Sequence, residues 1–220
     1  MTGVESWLEG ALGILPRDPG LYVRALTHGS HSSDTYERLE FLGDRVLALV
    51  MADWLFVKFP EDAEGKLSFR FNALVTRTVC AQVGRNLGVV PHIRLGKQAR
   101  DDGAFDSDNV IGDVVESLIG ALYLDHGLET ARTFICKQWA PMVDGQSAAP
   151  RHPKSALQEW AAAHNRKPPL YTVTETSGPH HAPRFTVLAS LGSAGEASAA
   201  GKSKQDAESA AAAALLEKLS

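Results

Sequence analysis

The chain has 220 residues, 44% hydrophobic and 22% charged, a globular composition with room for one large domain or two small ones. No run approaches the ~18 apolar residues of a membrane span, and the first ten residues combine Glu5 and Glu9 with no basic start or apolar stretch, so they do not read as a signal peptide and the expected location is the cytoplasm. Net charge is −4, but residues 1–150 hold 14 Lys and Arg against 20 Asp and Glu, a net of −6, while residues 151–220 hold 8 against 6, a net of +2. An acidic first part and a mildly basic second part suggest two separate jobs.

In chain order, residues before about 145 read as helical almost throughout. The segment from Glu37 to Val50 places Leu39, Leu42, Val46, Leu49 and Val50 at helical spacing. The same helix carries Glu37, Glu40 and Asp44 at i, i+3 and i+7, so the three carboxylates share a face while Leu39, Phe41, Leu42, Val46 and Leu47 make much of the girth apolar. The segment 108–123 repeats the design. Asp113 and Glu116 stand three apart among Val110, Ile111, Val114, Val115, Leu118 and Ile119, and no Lys or Arg lies between Asp101 and Arg132 to neutralise them locally. Cys80 and Cys136 fall in helical, apolar surroundings. Two cysteines without paired Cys/His spacing are too few for a disulfide framework or a zinc cluster, and both read as reduced core thiols.

Two mostly buried helices with uncompensated carboxylates admit two readings. One is a solvated acidic face, the ordinary fate of charged pairs at helical spacing. The other is a divalent metal site, because gathering four carboxylates in a partly dry place costs several kcal/mol per ion unless a cation compensates. All-oxygen ligands select Mg²⁺ or Mn²⁺ over Zn²⁺. Such clusters serve phosphodiester or phosphomonoester hydrolysis, so spacing alone leaves a nuclease and a phosphatase both open.

The stretch 144–153, small, polar and proline-containing, reads as an interdomain linker, with boundaries set at 1–145, 146–152 and 153–220. Beyond it the pattern changes. Residues 154–164 form a short helix with Leu157, Trp160 and Ala161 on one face. Residues 170–175 and 184–191 alternate and are β-branched, with a turn at Gly178-Pro179, and residues 196–200 are a weaker third strand. An alanine-rich helix closes the chain at 203–219. The predicted fold class is therefore an all-α N-terminal domain followed by a small α+β domain of order α-β-β-β-α.

Glu37-Arg-Leu-Glu-Phe-Leu-Gly-Asp44, with Val46 and Leu47 beyond it, resembles the signature of the ribonuclease III family. Leu26-Thr-His-Gly-Ser30 is similar to the segment that leads into that signature, Glu64-Gly65 with Leu67-Ser68 to the family's acidic loop, and 112–121 to its second catalytic helix. The C-terminal order resembles a double-stranded RNA-binding domain, which reads A-form shape and phosphates over roughly 16 base pairs. The resemblance covers essentially the whole chain.

It implies a homodimeric, Mg²⁺-dependent endoribonuclease (Mn²⁺ a possible substitute) that cuts double-stranded RNA, including rRNA precursors and structured mRNA, to 5′-phosphate and 3′-hydroxyl ends with short 3′ overhangs. Glu40, Asp113 and Glu116 would be metal ligands, and Asp44 and Glu116 catalytic. Glu37 and Glu64 match auxiliary acidic positions, with plain surface carboxylates as the alternative, and Phe41 matches a dimer-interface residue, with an ordinary core phenylalanine as the alternative. Ser155, Gln158, Glu159, His181, Lys202 and Lys204 match RNA-contacting positions, the lysines at the positive end of the last helix. Tyr36 stands where the family usually has Asn, Gly29 replaces a larger residue, Arg45 a small one, and Gln205 a frequent lysine. Two rival readings remain: a non-catalytic RNA-binding protein of the same fold, and a helical phosphohydrolase of small substrates that would not need residues 151–220.

Overall fold

Eleven of the nineteen residues of the helix Asp108–His126 (α7) are buried, and that explains the architecture of the first half of the chain. A helix apolar around most of its circumference must be enclosed by others. In the computed structural model, which describes residues 3–146, 153–178 and 183–219, that is what its neighbours do. The chain divides into two compact units, 1–150 and 151–220.

In the first unit, α1 (Gly3–Leu12), α2 (Pro19–Ala25), α3 (Glu37–Lys58), α4 (Glu64–Leu74), α5 (Arg77–Asn86) and the short α6 (Lys97–Asp101) precede α7, and α8 (Leu128–Asp144) follows it. Leu47, Val50, Met51 and Leu55 of α3 meet Ile111, Val115, Leu118, Ile119 and Leu122 of α7 in one core with Cys80, Ala81 and Val83 of α5 and Ile135 and Trp139 of α8. Each large side chain buried there contributes about 1.5–3 kcal/mol. Two buried polar groups of this core are satisfied internally: the Ser117 hydroxyl donates to the Ala25 carbonyl at 2.6 Å, and Trp139 donates its indole N–H to the Leu74 carbonyl at 2.9 Å. The strand-like pairing in this unit is a single bridge, Thr27 with Arg94, among the described residues.

Two features depart from the expected pattern. Leu49, placed on the core stripe by its spacing, is exposed, and so are Phe41 and Phe56. The three fall within about 80° of arc at 100° per residue, so α3 has a second apolar face that the described residues of its own unit leave uncovered. Also, Gln146 is still attached to the first unit: buried Arg70 donates to its carbonyl at 2.7 Å and to Asp62 Oδ2 at 2.7 Å. The remainder of the expected linker, 147–152, lies outside the described residues.

The second unit contains α9 (Pro153–Ala163), β1 (Leu170–Ser177), β2 (Arg184–Ser190), β3 (Glu196–Gly201) and α10 (Lys204–Leu219). The sheet is antiparallel in the order β1-β2-β3. Leu157 and Ala161 of α9 and Ala207, Ala211, Ala212 and Leu215 of α10 cover Val187, Ala189 and Ala197. The alanines of α10 let the helix approach the strands closely. The alternation read in β1 does not become a buried face: Tyr171 alone is half-buried and the rest of the strand is exposed, because β1 is an edge strand and its register with β2 shifts between Val173 and Glu175.

Candidate functional site

The site is built where α3 and α7 cross. A Cβ on Gly43 would strike the carbonyl of Glu116, and one on Gly120 would strike the carbonyl of Leu39. The two glycines thus let the helix backbones touch, which brings Glu40, one turn before Gly43, beside Glu116, one turn before Gly120. Asp113 lies one further turn along α7. One carboxylate oxygen from each of Glu40, Asp113 and Glu116 falls within a mutual 4.8 Å, so Glu40 meets a pair of carboxylates more than 70 positions further along the chain.

The cluster is half-buried and strained electrostatically. Burial, followed by the charges of Asp113 and Glu40, pushes the Glu116 carboxyl up to about 7. Burial also raises Glu40, with Asp113 adding to it, and raises Asp113. Asp113 Oδ1 is buried with no hydrogen-bond donor. The partners that do reach the cluster are weak. Tyr36 Oη stands 3.5 Å from Asp113 Oδ2, Arg77 Nη2 stands 3.5 Å from Asp113 Oδ1, and the Cys80 thiol points at Glu116 Oε1 from 3.8 Å. Burial and the Glu116 charge hold that thiol at about 12, so it is a protonated donor and not a ligand. Three converging carboxylates and an orphaned oxygen are the donor set of a hard divalent cation, and the residues fit such an ion.

The other expected residues take different places. Asp44 continues the acidic face of α3 one turn beyond Glu40, half-buried, but its carboxylate pairs with the adjacent Arg45 and is not in the 4.8 Å group. Glu37 is exposed at the start of α3. Glu64 is exposed at the start of α4 and accepts a hydrogen bond from Ser68 at 2.8 Å. Phe41 is 67% exposed, with the Arg45 guanidinium 5.1 Å from its ring centroid. An ordinary core position, the alternative for Phe41, is therefore not what the fold gives it. Arg77, Cys80 and Tyr36 were not among the sequence candidates. Arg77 and Cys80 come from α5, and nothing in their own spacing signals a carboxylate on another helix.

In the second unit, Ser155, Gln158 and Glu159 share a face of α9 opposite the buried Leu157 and Ala161, with Gln158 and Glu159 exposed. Lys202 and Lys204 are exposed on either side of Ser203, whose hydroxyl accepts from the Asp206 amide at 3.1 Å and caps α10. A Cβ on Gly201 would strike the Ala207 backbone, so the strand-to-helix turn that carries both lysines requires glycine. Gly178, at φ +88, opens the β1–β2 turn. His181, with the rest of 179–182, lies outside the described residues.

Comparison with known proteins follows the same division. A model described as ribonuclease-III-like matches residues 18–142, and one described as a double-stranded RNA binding motif matches residues 153–219. Over 212 residues the chain is 58% identical to ribonuclease 3 of Zymomonas mobilis, covering 96% of this chain and 86% of that protein. Among solved structures, the nuclease domain of ribonuclease III from Campylobacter jejuni aligns at a TM-score of 0.61 and 34% identity, over 69% of this chain and all of that one. A second structure of that domain, described for flexibility in the region involved in dimer formation, aligns at 0.59 and 38% identity, over 60% of this chain and 93% of that one.

Proposed function

Because the chain belongs to the ribonuclease III family, we propose that it is a Mg²⁺-dependent endoribonuclease that hydrolyses double-stranded RNA. The observation that carries this reading is the meeting of Glu40, Asp113 and Glu116 at the glycine crossing of α3 and α7, with Asp113 Oδ1 buried and undonated. Glu40, Asp113 and Glu116 would hold the ion, with Mn²⁺ an acceptable substitute. A bound divalent ion supplies an activated water and charge stabilisation on the attacking and leaving oxygens of a phosphodiester.

The protein's own residues do the rest. The helix crossing fixes the three carboxylates on rigid backbone, and the surrounding core excludes bulk water from one side. Tyr36 and Cys80 donate toward Asp113 and Glu116 and orient them. Asp44, catalytic in this reading, stands half-exposed one turn from Glu40 and pairs with Arg45. Glu37 and Glu64 line the approach of the substrate.

The exposed face of α3, with Phe41, Leu49 and Phe56, joins two copies into a homodimer. Two clusters then cut the two strands of one duplex, leaving 5′-phosphate and 3′-hydroxyl ends with short 3′ overhangs. Residues 153–220 grip the duplex through Ser155, Gln158, Glu159, His181, Lys202 and Lys204. The cellular substrates in this reading are rRNA precursors and structured mRNA, met in the cytoplasm. No helix of the described residues is long and apolar enough to cross a membrane.

The test is cleavage of a labelled RNA duplex beside its single strand and the matching DNA duplex, with Mg²⁺ or with EDTA. Metal-dependent cutting of the RNA duplex alone, with 5′-phosphate ends, is the expected result. Binding without cutting in both conditions would favour the non-catalytic reading.

A further inference from the structure

We propose that Arg77 is a displaceable counter-ion of the carboxylate cluster, released when a divalent ion takes Asp113 and then engaging the phosphate of the bound RNA. This rests on the reading of the cluster as the metal-holding centre of a nuclease. Arg77 is the first residue of α5, and its backbone position is fixed twice. Thr76 caps the helix by accepting from the Val79 amide at 3.2 Å. On α7, Gly112 leaves just the room that Arg77 occupies, since a Cβ there would lie 3.1 Å from both Arg77 Cγ and the Arg77 carbonyl oxygen.

The guanidinium at the end of that fixed stem is held loosely. Nη1 reaches Asn109 Oδ1 at 3.4 Å and Nη2 reaches Asp113 Oδ1 at 3.5 Å. Committed arginine–carboxylate bonds run at roughly 2.7–2.9 Å, so both contacts are long. The side chain is 57% exposed while that of Asp113 is 18% exposed. A cation facing solvent therefore leans on a carboxylate that faces the cluster. The charge of Arg77 also opposes the raised proton affinity of Glu40, Asp113 and Glu116 together.

Charge balance favours a change of partner once the phosphate arrives. Three carboxylates carry −3, a divalent ion leaves −1, and a phosphodiester brings a further −1 to the same place. With Asp113 engaged by the ion, the guanidinium of Arg77 would be free at the mouth of the site, with a planar fork of donors suited to phosphate oxygens. Arg77 thus competes with the metal in the resting protein and assists the substrate in the loaded one.

The two roles predict effects of opposite sign from one substitution. In Arg77→Gln, calorimetric titration of the RNA-free, full-length protein with Mn²⁺ should show a dissociation constant about 2- to 5-fold lower, the range expected from losing a partly exposed ion pair. In the same variant, single-turnover cleavage of an RNA duplex at saturating metal should be slower by about 10-fold or more, the scale of one charged hydrogen bond to phosphate. Arg77→Lys keeps the charge and loses the fork, so it should bind Mn²⁺ like wild type and cleave at an intermediate rate. Unchanged or weaker Mn²⁺ binding in Arg77→Gln would overturn the proposal, whatever the cleavage rate, because a structural role for α5 lowers both together. Unchanged cleavage would overturn it as well. If wild type itself binds no Mn²⁺ and cuts no duplex, the nuclease reading fails and this inference falls with it.

Discussion

The two units handle charge in opposite ways. The crossing of α3 and α7 takes three carboxylates partly out of water and gives them no donor at hydrogen-bonding distance better than 3.5 Å from oxygen or nitrogen. The second unit keeps Lys202, Lys204, Gln158 and Glu159 exposed around a core of alanine, leucine and valine. Burial leaves the carboxylates of the first site electrostatically unstable as they stand, an imbalance that a cation would compensate. Exposure makes each charge of the second surface individually weak, so its grip on an anionic duplex has to be a sum of small, salt-sensitive contributions. A substitution in the first region should therefore act as an all-or-none loss, and one in the second as a graded change.

The strongest way to break that contrast is Glu116→Gln. It removes the carboxylate that both proximity and burial perturb most, and cleavage of an RNA duplex should fall by about 10³-fold or more, as for loss of a metal ligand in a hydrolytic centre. Binding of the same duplex, measured by gel shift in Ca²⁺ or EDTA, should stay within about 2-fold of wild type, because the second unit is untouched. Turnover at the wild-type rate would remove Glu116 from the site.

Next in size is Gly43→Ala. The added Cβ would strike the Glu116 carbonyl, backbone against backbone, so the helices must separate. Denaturant unfolding should show a loss of about 2–4 kcal/mol for such overpacking, and activity should fall with it because Glu40 and Glu116 move apart. Gly65→Ala, where a Cβ meets nothing within 4 Å, serves as the control and should be nearly neutral.

The helical face Glu37–Glu40–Asp44 and the pair Asp113–Glu116 were legible in the sequence because their signal is local: a period of 3.6 written in carboxylates. The double-stranded RNA-binding order was legible from equally local signals: the apolar face of α9, the alternation of the first two strands, a weaker third strand, and the alanine content of α10. What the pattern did not disclose is long-range. Arg77 and Cys80 reach the cluster from α5, and Tyr36 reaches Asp113 across 77 positions, through packing that no window of sequence contains. The absence of Lys and Arg between 101 and 132 suggested carboxylates without a cation, yet Arg77 supplies one from outside that window. Leu49 misled because spacing gives a face and not what covers it, and β1 misled because alternation does not tell an edge strand from a half-buried one.

A subtler effect sharpens the burial side of the comparison. The Glu116 carboxyl sits near 7 in the folded, metal-free protein against 4.5 unfolded, so the folded state holds that proton more tightly. The associated stability is complete below about pH 4.5 and is lost as pH rises through 7. Wild type minus Glu116→Gln, both in EDTA, reads the group together with its coupling to Asp113 and Glu40. Between pH 5 and 8 that difference should move against wild type by about 1–2 kcal/mol once solvent screening is allowed for, and Mg²⁺ should reverse it. A pH-independent difference would mean that Glu116 is solvated and the cluster is not dry.

The smallest effect belongs to the exposed surface. Lys204 is exposed at the start of α10, with its ammonium 6.0 Å from the Phe185 ring centroid and no carboxylate partner among the described residues. If it contacts one phosphate, Lys204→Ala should weaken duplex binding a few-fold at physiological salt and lower the slope of log K against log salt by about 0.9, the release of one counterion. Cleavage at saturating RNA should not change, since the cluster lies in the other unit. A Lys204→Ala, Lys202→Ala double variant should lose the two slopes additively if the lysines act as independent point charges. An unchanged slope in the single variant would remove Lys204 from the phosphate contacts, and a loss greater than additive in the pair would show that this surface, too, works as a unit.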